Sequence, residues 1–422
     1  MAGRRTHAMS EAVDVLVIGG GISGATAARF LRPQWVLLER EPVLGGLSTQ
    51  YRSGAFWFDY GGHYFHFQGA NPMQRHLSEK TPFRRYARRS RVHILERLVP
   101  FPIQSHLESL PASLRRRIER EMAHSQPPED PSMAAALRAE FGPTLYQLFF
   151  LPFLTKYYAR DPRELITGMT KGSIPPPARR SGSARQKKAA QGYNPEFFYP
   201  VGELRRFWEA YSQPLLPQVR LDEPVEAIDL ADRRLKTSKR SYRFRFLINT
   251  MPLPHLLSML SGFAFPSSLP RRLRYTSTQV TNLVLARRYR RFHWVYLPQR
   301  DVPYYRMGYY PGSGTCRIYL EQSIARNGAP QDIAQSGVTG LLRGLGVIHD
   351  AAEILHVSRR TIPIAYVQFD RFWARTVPGI LRGLAEQGIF SIGRYGGWNY
   401  SSMAEDALTA RNTALTINRQ TA

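Results

Sequence analysis

Cysteine and long apolar runs are scarce in this 422-residue chain, and each absence excludes a class of protein. A single cysteine, Cys316, excludes a disulfide framework and a cysteine-rich metal site, so no metal is predicted. The longest apolar stretch, Leu145–Leu154, contains Gln147 and Pro152 and is far shorter than the roughly 20 residues that a membrane helix needs. Residues 1–12 lack the apolar core of a secretory signal. We therefore expect no membrane span and a cytoplasmic location.

Acidic residues are also few, since 32 Asp and Glu stand against 58 Lys and Arg, which gives a formal net charge of +26. Almost all of the excess is arginine, whose planar fork binds phosphate groups. The charge allows nucleic acid, acidic lipid or phosphorylated small molecules as partners, and an arginine-rich composition also follows from a GC-rich genome. No zinc knuckle, RNP aromatic motif or helix-turn-helix pattern is present, so no specific nucleic acid is predicted.

The first motif is a strand, a glycine-rich turn and a helix near the N-terminus. An apolar, β-branched run over Val13–Ile18 predicts a buried strand, and small residues over 25–31 predict the helix. A second buried strand is predicted over Trp35–Leu38. This order is typical of a dinucleotide-binding fold, in which glycines approach the pyrophosphate and an acid binds a ribose. The residues that match this fingerprint are Gly19, Gly21, Ser23, Gly24 and Glu39.

The segment after Glu39 favours FAD over NAD. Gly45-Gly46 and Gly61-Gly62 flank a hairpin-like stretch, Tyr51–Phe58, and His63 follows the second glycine pair. Two glycine pairs so close to the fingerprint allow the backbone to follow an extended cofactor from its pyrophosphate toward an aromatic ring system. We therefore predict FAD, with further contacts from Arg40, Gly46, Leu47, Ser48, Gly61, Gly62, His63, Val225, Gly393, Arg394 and Met403.

The order of helical and alternating patterns predicts an α/β protein with a discontinuous Rossmann-like FAD-binding domain, a helical insertion and an antiparallel-sheet substrate domain. The FAD-binding domain is expected over 1–103, 201–265 and 379–422, the insertion over 104–200, and the substrate domain over 266–378. Within the insertion, residues 175–192 are rich in Pro, Gly, Ser and cations. They predict a mobile loop, which is either a solvated linker or a basic lid over an anionic substrate.

Several ordered blocks resemble the UDP-galactopyranose mutases, and the eukaryotic type and its bacterial relatives more than the compact bacterial enzymes. They are Val15–His63, Arg88–Pro111, Gly192–Leu204, Tyr275–Arg306 and Gly393–Ala410. The first block fits the whole amine oxidase and protoporphyrinogen oxidase-like FAD superfamily, whereas the others are more specific. The resemblance implies ring contraction of a nucleotide sugar, between pyranose and furanose, through an adduct of the sugar with N5 of reduced FAD and without net redox change. NAD(P)H or another reductant would keep the flavin reduced.

The resemblance also implies a role for each site residue. His63, Arg88 and Arg394 would be catalytic. Arginine forks and tyrosine hydroxyls suit a leaving nucleotide diphosphate, because its charge must be held by donors already in place. The substrate-binding residues implied in this way are Phe101, Gln104, Tyr158, Asn194, Tyr296, Arg306, Tyr366 and Tyr400.

The chain departs from the mutase pattern at some positions that bind the substrate in that family. Leu154 and Tyr158 stand where an asparagine and a tryptophan are usual, and Gly172–Pro175 lacks an expected arginine. The substrate is therefore left open between a UDP-galactopyranose-like nucleotide sugar and another small anion. Two other functions also stay open: an FAD-dependent oxidoreductase of the amine oxidase or protoporphyrinogen oxidase type, and a nucleic-acid or acidic-surface binding protein that retains a flavin fold. The oligomeric state is not predicted.

Overall fold

The computed structural model describes residues 10–67, 71–124, 126–167, 195–289, 291–311, 314–331 and 333–421. The helices are α1 Ile22–Phe30, α2 Pro72–Ser78, α3 Ala112–Ala123, α4 Met133–Leu145, α5 Leu151–Tyr158, α6 Leu204–Ser212, α7 Leu253–Met259, α8 Leu269–Arg272, α9 Gln335–Gly344, α10 Arg371–Glu386, α11 Gly393–Gly396 and α12 Met403–Thr421. The strands up to the middle of the chain are β1 Ser10–Ile18, β2 Trp35–Leu38, β3 Gln50–Ser53, β4 Phe56–Asp59, β5 Phe83–Ala87, β6 Ser90–Ile94, β7 Arg97–Pro100, β8 Glu196–Pro200 and β9 Val219–Arg220. The remaining strands are β10 Val225–Asp229, β11 Arg234–Thr237, β12 Ser241–Asn249, β13 Leu260–Ser261, β14 Tyr275–Leu285, β15 Trp294–Tyr296, β16 Arg306–Tyr309, β17 Cys316–Ile324, β18 Ile354–Val367 and β19 Ile389–Ser391.

The first large sheet has the order β13-β10-β11-β12-β1-β2-β9, and β19 pairs with β12. Its centre is parallel, because β1 runs between β12 and β2 with Val15 beside both Phe246 and Trp35. Apolar clusters cover both faces of this sheet, which explains why β1 and β2 are almost continuously apolar. The predicted α/β fold with a Rossmann-like β1-α1-β2 unit is confirmed.

The strands of this sheet come from separate parts of the chain, before residue 40, between 219 and 261, and at 389–391. The C-terminal helix α12 packs against α1, so both ends of the chain contribute to one body. Ser402 caps α12: its Oγ accepts from the Glu405 N–H at 3.3 Å, and the Glu405 carboxylate accepts from the Ser402 N–H at 2.8 Å.

The second large sheet has the order β18-β14-β17-β16-β15-β6-β7 and is antiparallel except where β6 pairs with β15. Its long central strand β14 lies between β17 and β18, and apolar clusters cover its two faces. Residues 90–100 fall inside the first predicted segment of the FAD-binding domain, yet β6 and β7 extend this second sheet, with Ser90 beside Trp294. The reason is the pairing of distant segments, which a local strand pattern does not reveal.

Helices α3, α4 and α5 lie in the segment predicted as a helical insertion, and they enclose an apolar cluster against β6 and β7. The path bends at Gly142, which has a φ of 79° and precedes Pro143, and a wide helical turn over 146–150 leads into α5. This arrangement places α5 next to the second sheet. In the part of the chain that the structure describes, no helix combines the length and the apolar character that crossing a bilayer requires.

Candidate active site

The site begins at the turn between β1 and α1, where Glu39 closes the fingerprint. One carboxylate oxygen of Glu39 accepts the Gly20 N–H at 2.6 Å, and the other accepts the Glu41 N–H at 2.9 Å. Burial raises the pKa of this carboxyl above its usual value, while the two backbone donors oppose that rise. Each carboxylate oxygen keeps a lone pair for a ribose hydroxyl. Helix α1 starts at Ile22 without a side-chain cap, so its first N–H groups remain for an external anion.

The glycines of this turn are required by close contacts. A Cβ on Gly24 would lie 1.9 Å from the Gly19 carbonyl oxygen, and one on Gly19 would lie 2.4 Å from Thr250 Oγ1. Gly19 also has a φ of +92°, a region that side chains disfavour. The helix can therefore pack directly on the strand, and its N-terminus is open to a pyrophosphate. The residues present fit the predicted dinucleotide part of FAD.

Gly24→Ala is expected to lower flavin retention and stability, because the added methyl overlaps backbone that cannot move independently. Overpacking of this kind costs about 1–3 kcal/mol. The matched control is Gly340→Ala in α9, where nothing lies within 4 Å of the added Cβ. The ratio of flavin absorbance to protein in the purified variants measures retention, and thermal unfolding measures stability. Equal flavin content in the two variants would contradict the assignment of this turn.

Two further turns lie on the fingerprint. The Gly45 N–H donates to the Gly20 carbonyl at 2.9 Å, and a Cβ on Gly46 would lie 3.4 Å from the Cα of Gly21. Gly393, with a φ of +78°, lies so close to α1 that a Cβ there would be 2.4 Å from Ser23 Oγ. Three glycine-rich turns that are distant in sequence therefore meet at the carboxyl end of the parallel strands, which is where such folds bind ligands.

The other predicted cofactor residues lie at different distances from these turns. Leu47 and Ser48 form the short helical turn after Gly46, where Ser48 Oγ donates to the Gly45 carbonyl at 2.8 Å. Met403 begins α12, close to the same region. Val225 opens β10, two residues after Glu223, whose N–H donates to the Glu39 carbonyl at 2.9 Å. The side chain of Arg40 is 70% exposed and is paired with Glu41, so the structure directs it to solvent.

His63 follows the turn formed by Gly61 and Gly62, and its N–H donates to the Gly61 carbonyl at 2.8 Å. The ring is partly buried, and its Nδ1 atom is shielded from solvent and has no hydrogen-bond partner among the described residues. Burial lowers the pKa of His63 to about 4, with a further contribution from the positive charges of Arg394 and Arg306. The imidazole is therefore neutral at pH 7, and one of its nitrogen atoms is left for a partner.

Three arginines lie in this part of the fold: Arg394 and Arg306 act electrostatically on His63, and Arg88 acts on His66 and Tyr296. Arg88 stands over the Phe101 ring at 5.3 Å, and that ring lies 4.7 Å from the ring of Tyr296. Arg394 donates from Nε and Nη2 to the Ser401 carbonyl, at 3.0 and 2.5 Å. Nε of Arg306 donates to the buried carboxylate of Glu321 on the neighbouring strand β17. The region therefore concentrates guanidinium groups in a largely desolvated space, where they bind anions more strongly than in water.

Tyrosines line the space between these arginines. The Tyr366 ring lies 4.4 Å from that of Tyr157 and its hydroxyl lies 3.4 Å from the Tyr305 hydroxyl. Tyr158 meets the other side of Tyr157 at 4.8 Å, and the Tyr400 ring lies 5.0 Å from the Arg394 guanidinium. Burial raises the pKa of Tyr157, Tyr158, Tyr305 and Tyr366 above the usual phenol value. Their hydroxyls therefore stay protonated and can act as donors.

The structure thus brings most of the predicted substrate residues into one region. Gln104 is buried in the short turn after β7, beside the Phe101 segment. Asn194 and the predicted basic loop over 175–192 lie outside the described residues. Sequence reasoning missed Tyr157, Glu321 and His66. The only available signals were the Tyr157-Tyr158 doublet and the spacing of His66 three residues after His63.

His66 adds a second histidine to the region. Its Nδ1 atom lies 3.4 Å from the Glu196 carbonyl. Burial lowers the pKa of His66 to about 4, opposed by that hydrogen bond and reinforced by Arg88 and Arg394. Like His63, it is a neutral imidazole near the arginines at pH 7.

Comparison with known proteins defines the class first. A model of the NAD(P)-binding Rossmann-like domain family matches residues 17–79, which hold the end of β1 and then α1, β2, β3, β4 and α2. No curated protein matches the sequence significantly. The N-terminal part of the chain is therefore similar to NAD(P)-binding Rossmann-like domains.

Solved structures then extend the similarity over the whole chain. Reduced UDP-galactopyranose mutase aligns with a TM-score of 0.83 at 21% identity, covering 95% of this chain and 94% of its own. A putative protoporphyrinogen oxidase from Exiguobacterium sp. 255-15 aligns with a TM-score of 0.72 at 16% identity, covering 98% and 100%. Cyclohexylamine oxidase from Brevibacterium oxydans IH-35A aligns with a TM-score of 0.69 at 15% identity, covering 97% and 99%. The predicted resemblance is confirmed at the level of the fold.

Proposed function

We propose that this chain is an FAD-dependent enzyme that isomerises a nucleotide sugar in the manner of UDP-galactopyranose mutase, without net redox change. The observation that carries the proposal is a set of arginines and tyrosines beside a dinucleotide fold: Arg306 and Arg394 act on His63 and Tyr366, and Arg306 and Arg88 act on Tyr296. A substrate with two phosphates gives these cations a purpose. An oxidase of hydrophobic amines or porphyrin precursors has little need for them.

The chain's own residues would bind and orient the diphosphate. The positive charges of Arg306 and Arg394 lower the pKa of His63. Those of Arg306 and Arg88 oppose the rise that burial causes in the pKa of Tyr296. The hydroxyls of Tyr366 and Tyr400 supply donors without any proton transfer. Donors that are already in place stabilise the charge that develops when the nucleotide leaves the sugar. When bound and reduced, FAD supplies the nucleophile for the anomeric carbon.

His63 would contact the reacting region through its unpartnered Nδ1 atom. Because its pKa is lowered to about 4, the ring accepts or donates a hydrogen bond as a neutral group and adds no positive charge. The aromatic rings of Phe101, Tyr157 and Tyr296 would exclude water from the same space. Exclusion of water strengthens the contacts of the arginines with the diphosphate.

The identity of the sugar is kept open in this proposal. The fold of reduced UDP-galactopyranose mutase supports a nucleotide sugar as the substrate class. Leu154, however, is an apolar side chain buried in the core of the helical insertion, and it cannot donate the hydrogen bonds of the asparagine usual there. We therefore propose a UDP-hexose or a related nucleotide sugar as the substrate.

The test compares oxidised and chemically reduced enzyme, each offered a panel of UDP-hexoses and their furanose isomers. We expect turnover only after reduction, with no consumption of reductant per product, as followed by chromatography of the nucleotide sugars. For variants of the site arginines such as Arg306→Ala, the matched control for a general effect of charge is Arg288→Ala, which removes an exposed arginine. Stoichiometric formation of hydrogen peroxide or oxidation of NAD(P)H with product would instead identify an FAD-dependent oxidoreductase.

A further inference from the structure

Glu321 is a buried carboxylate beside the proposed diphosphate site. It lies on β17 directly opposite Arg306 on β16, in an antiparallel pair. The Glu321 side chain is 5% exposed, against 19% for Arg306, and Nε of Arg306 donates to its Oε2 atom. The Glu321 backbone carbonyl also accepts the Tyr305 N–H at 2.9 Å. Backbone pairing of the two strands and a side-chain hydrogen bond therefore both hold Glu321 against Arg306.

The second carboxylate oxygen of Glu321 faces the turn that carries His63. A Cβ on Gly61 would lie 3.2 Å from Glu321 Oε1, and Gly61 has a φ of +141°. A side chain at this position would therefore press on the carboxylate as well as strain the backbone. One buried carboxylate thus binds Arg306 through one oxygen and lies close to the turn before His63 with the other.

The way Glu321 binds Arg306 determines what the arginine can do. Within the described part of the chain, Nε is the one nitrogen of Arg306 for which the structure shows an acceptor. The guanidinium also lies 5.9 Å from the ring centres of both Tyr305 and Tyr319. Because the guanidinium is planar, fixing Nε fixes the direction of its two terminal amino groups. Those groups remain for a bidentate contact with a phosphate.

We propose that Glu321 is a positioning residue: it orients the terminal amino groups of Arg306 toward the substrate diphosphate and holds the Gly61–His63 turn at its distance from that arginine. The inference rests on the proposed function for the identity of the anion. Its geometric part, the orientation of Arg306, is independent of which anion binds.

The test uses Glu321→Ala and Glu321→Gln in the flavin-loaded enzyme, with inorganic pyrophosphate and UDP as probes in titration calorimetry. Positioning predicts that Ala weakens the binding of pyrophosphate by about tenfold or more, because the fork loses its orientation. It also predicts that Gln, whose amide oxygen can still accept from Nε, stays much closer to the wild type. When the substrate is a sugar nucleotide that the enzyme converts, Glu321→Ala should raise KM more than it lowers kcat.

Other outcomes overturn the proposal in distinct ways. Tighter binding in both variants would show that Glu321 only offsets positive charge. Unchanged affinity with lowered stability would show a purely structural role. As a readout that needs no ligand, modification of Arg306 by phenylglyoxal, located by peptide mass spectrometry, should be faster in Glu321→Ala than in Glu321→Gln. Equal rates in all three proteins contradict positioning, whereas a wild type that binds pyrophosphate but not UDP contradicts only the nucleotide-sugar function.

Discussion

Arg306→Ala is expected to weaken the binding of UDP by about thirtyfold or more, and to destabilise the fold at the same time. Binding falls because a desolvated, charge-assisted contact to phosphate is lost, which typically costs 2–5 kcal/mol. Stability falls because Glu321, with a side chain only 5% exposed, is left without its partner. Breaking a buried ion pair costs about 3–5 kcal/mol. Titration calorimetry with UDP and urea unfolding measure the two effects separately.

A double variant distinguishes binding from folding. Arg306→Met together with Glu321→Gln removes both charges, so stability should recover most of what Arg306→Ala loses. The affinity for UDP should not recover, since the guanidinium is absent. Arg288→Ala, an exposed arginine next to the second sheet, should leave both quantities unchanged. Recovered affinity in the double variant, or wild-type affinity in Arg306→Ala, would remove Arg306 from the diphosphate site.

The dinucleotide half of the site could be predicted because its information is local. Gly24 and Glu39 lie within one strand-helix-strand unit, and the contacts that require them, with the Gly19 carbonyl and the Gly20 N–H, are made inside that unit. The glycine at 393 is also visible as a turn between a strand and a helix. Its contact with Ser23, however, depends on the first sheet bringing β19 beside β12. The sequence therefore predicted the turn at Gly393, and only the fold shows that this turn lies against Ser23 of α1.

The partner of Arg306 could not be predicted, because register decides it. Arg306 and Glu321 are separated by 15 residues, and a shift of the β16–β17 pairing by one residue would point one of them to the opposite face. The contact between Tyr157 and Tyr366 joins a helix to an edge strand and is likewise non-local. The resemblance to a family supplied Tyr366, but no pattern in the chain pointed to Tyr157.

The strand β18 shows a different limit. Pro363 lies inside Ile354–Val367 and weakens the local pattern for a strand, because proline cannot donate to a neighbour. In the structure β18 is an edge strand, and its pairing with β14 shifts register between Thr276 and Thr278, where Pro363 falls between the paired residues. Edge position and an irregularity both accommodate proline. Neither can be seen before the sheet order is known.

The arginines that produce the net charge of +26 fall into a buried group and an exposed group. Arg306 and Arg394 lie in the site and shift the pKa of His63, whereas arginines such as Arg288 are exposed. Exposed cations are screened by salt over about 8–10 Å, so they act mainly on encounter with an anion. Under the proposed function, the few desolvated arginines would give the site a preference for phosphate. This division is why Arg306 and Arg288 form a matched pair for testing the proposed function.

His63→Ala is expected to retain flavin and to lose most of the turnover, by about a hundredfold or more. Retention is expected because the turn before it is held by the Gly61 and Gly62 backbone and by close packing against Tyr319. Turnover falls because the shielded Nδ1 atom is the group in this turn that can form a hydrogen bond with the reacting region. A positioned general acid, base or donor typically contributes 10²–10⁴-fold. Single-turnover assays with reduced enzyme and the visible spectrum of the bound flavin provide the measurements.

The pH dependence of stability checks the same residue without any substrate. Burial lowers the pKa of His63 from its ordinary 6.5 to about 4, so the unfolded chain takes up a proton that the folded chain resists. As pH falls from 6.5 to 4, His63 therefore costs the wild type a growing share of its free energy of unfolding, which levels off below pH 4. His63→Ala lacks this cost, so its stability relative to the wild type should rise on acidification through that window. His63→Asn, which keeps a donor, should behave like Ala in this assay but recover part of the turnover. A stability difference that stays constant from pH 7 to pH 4, or wild-type turnover in His63→Ala, would exclude a buried neutral imidazole at the reaction centre.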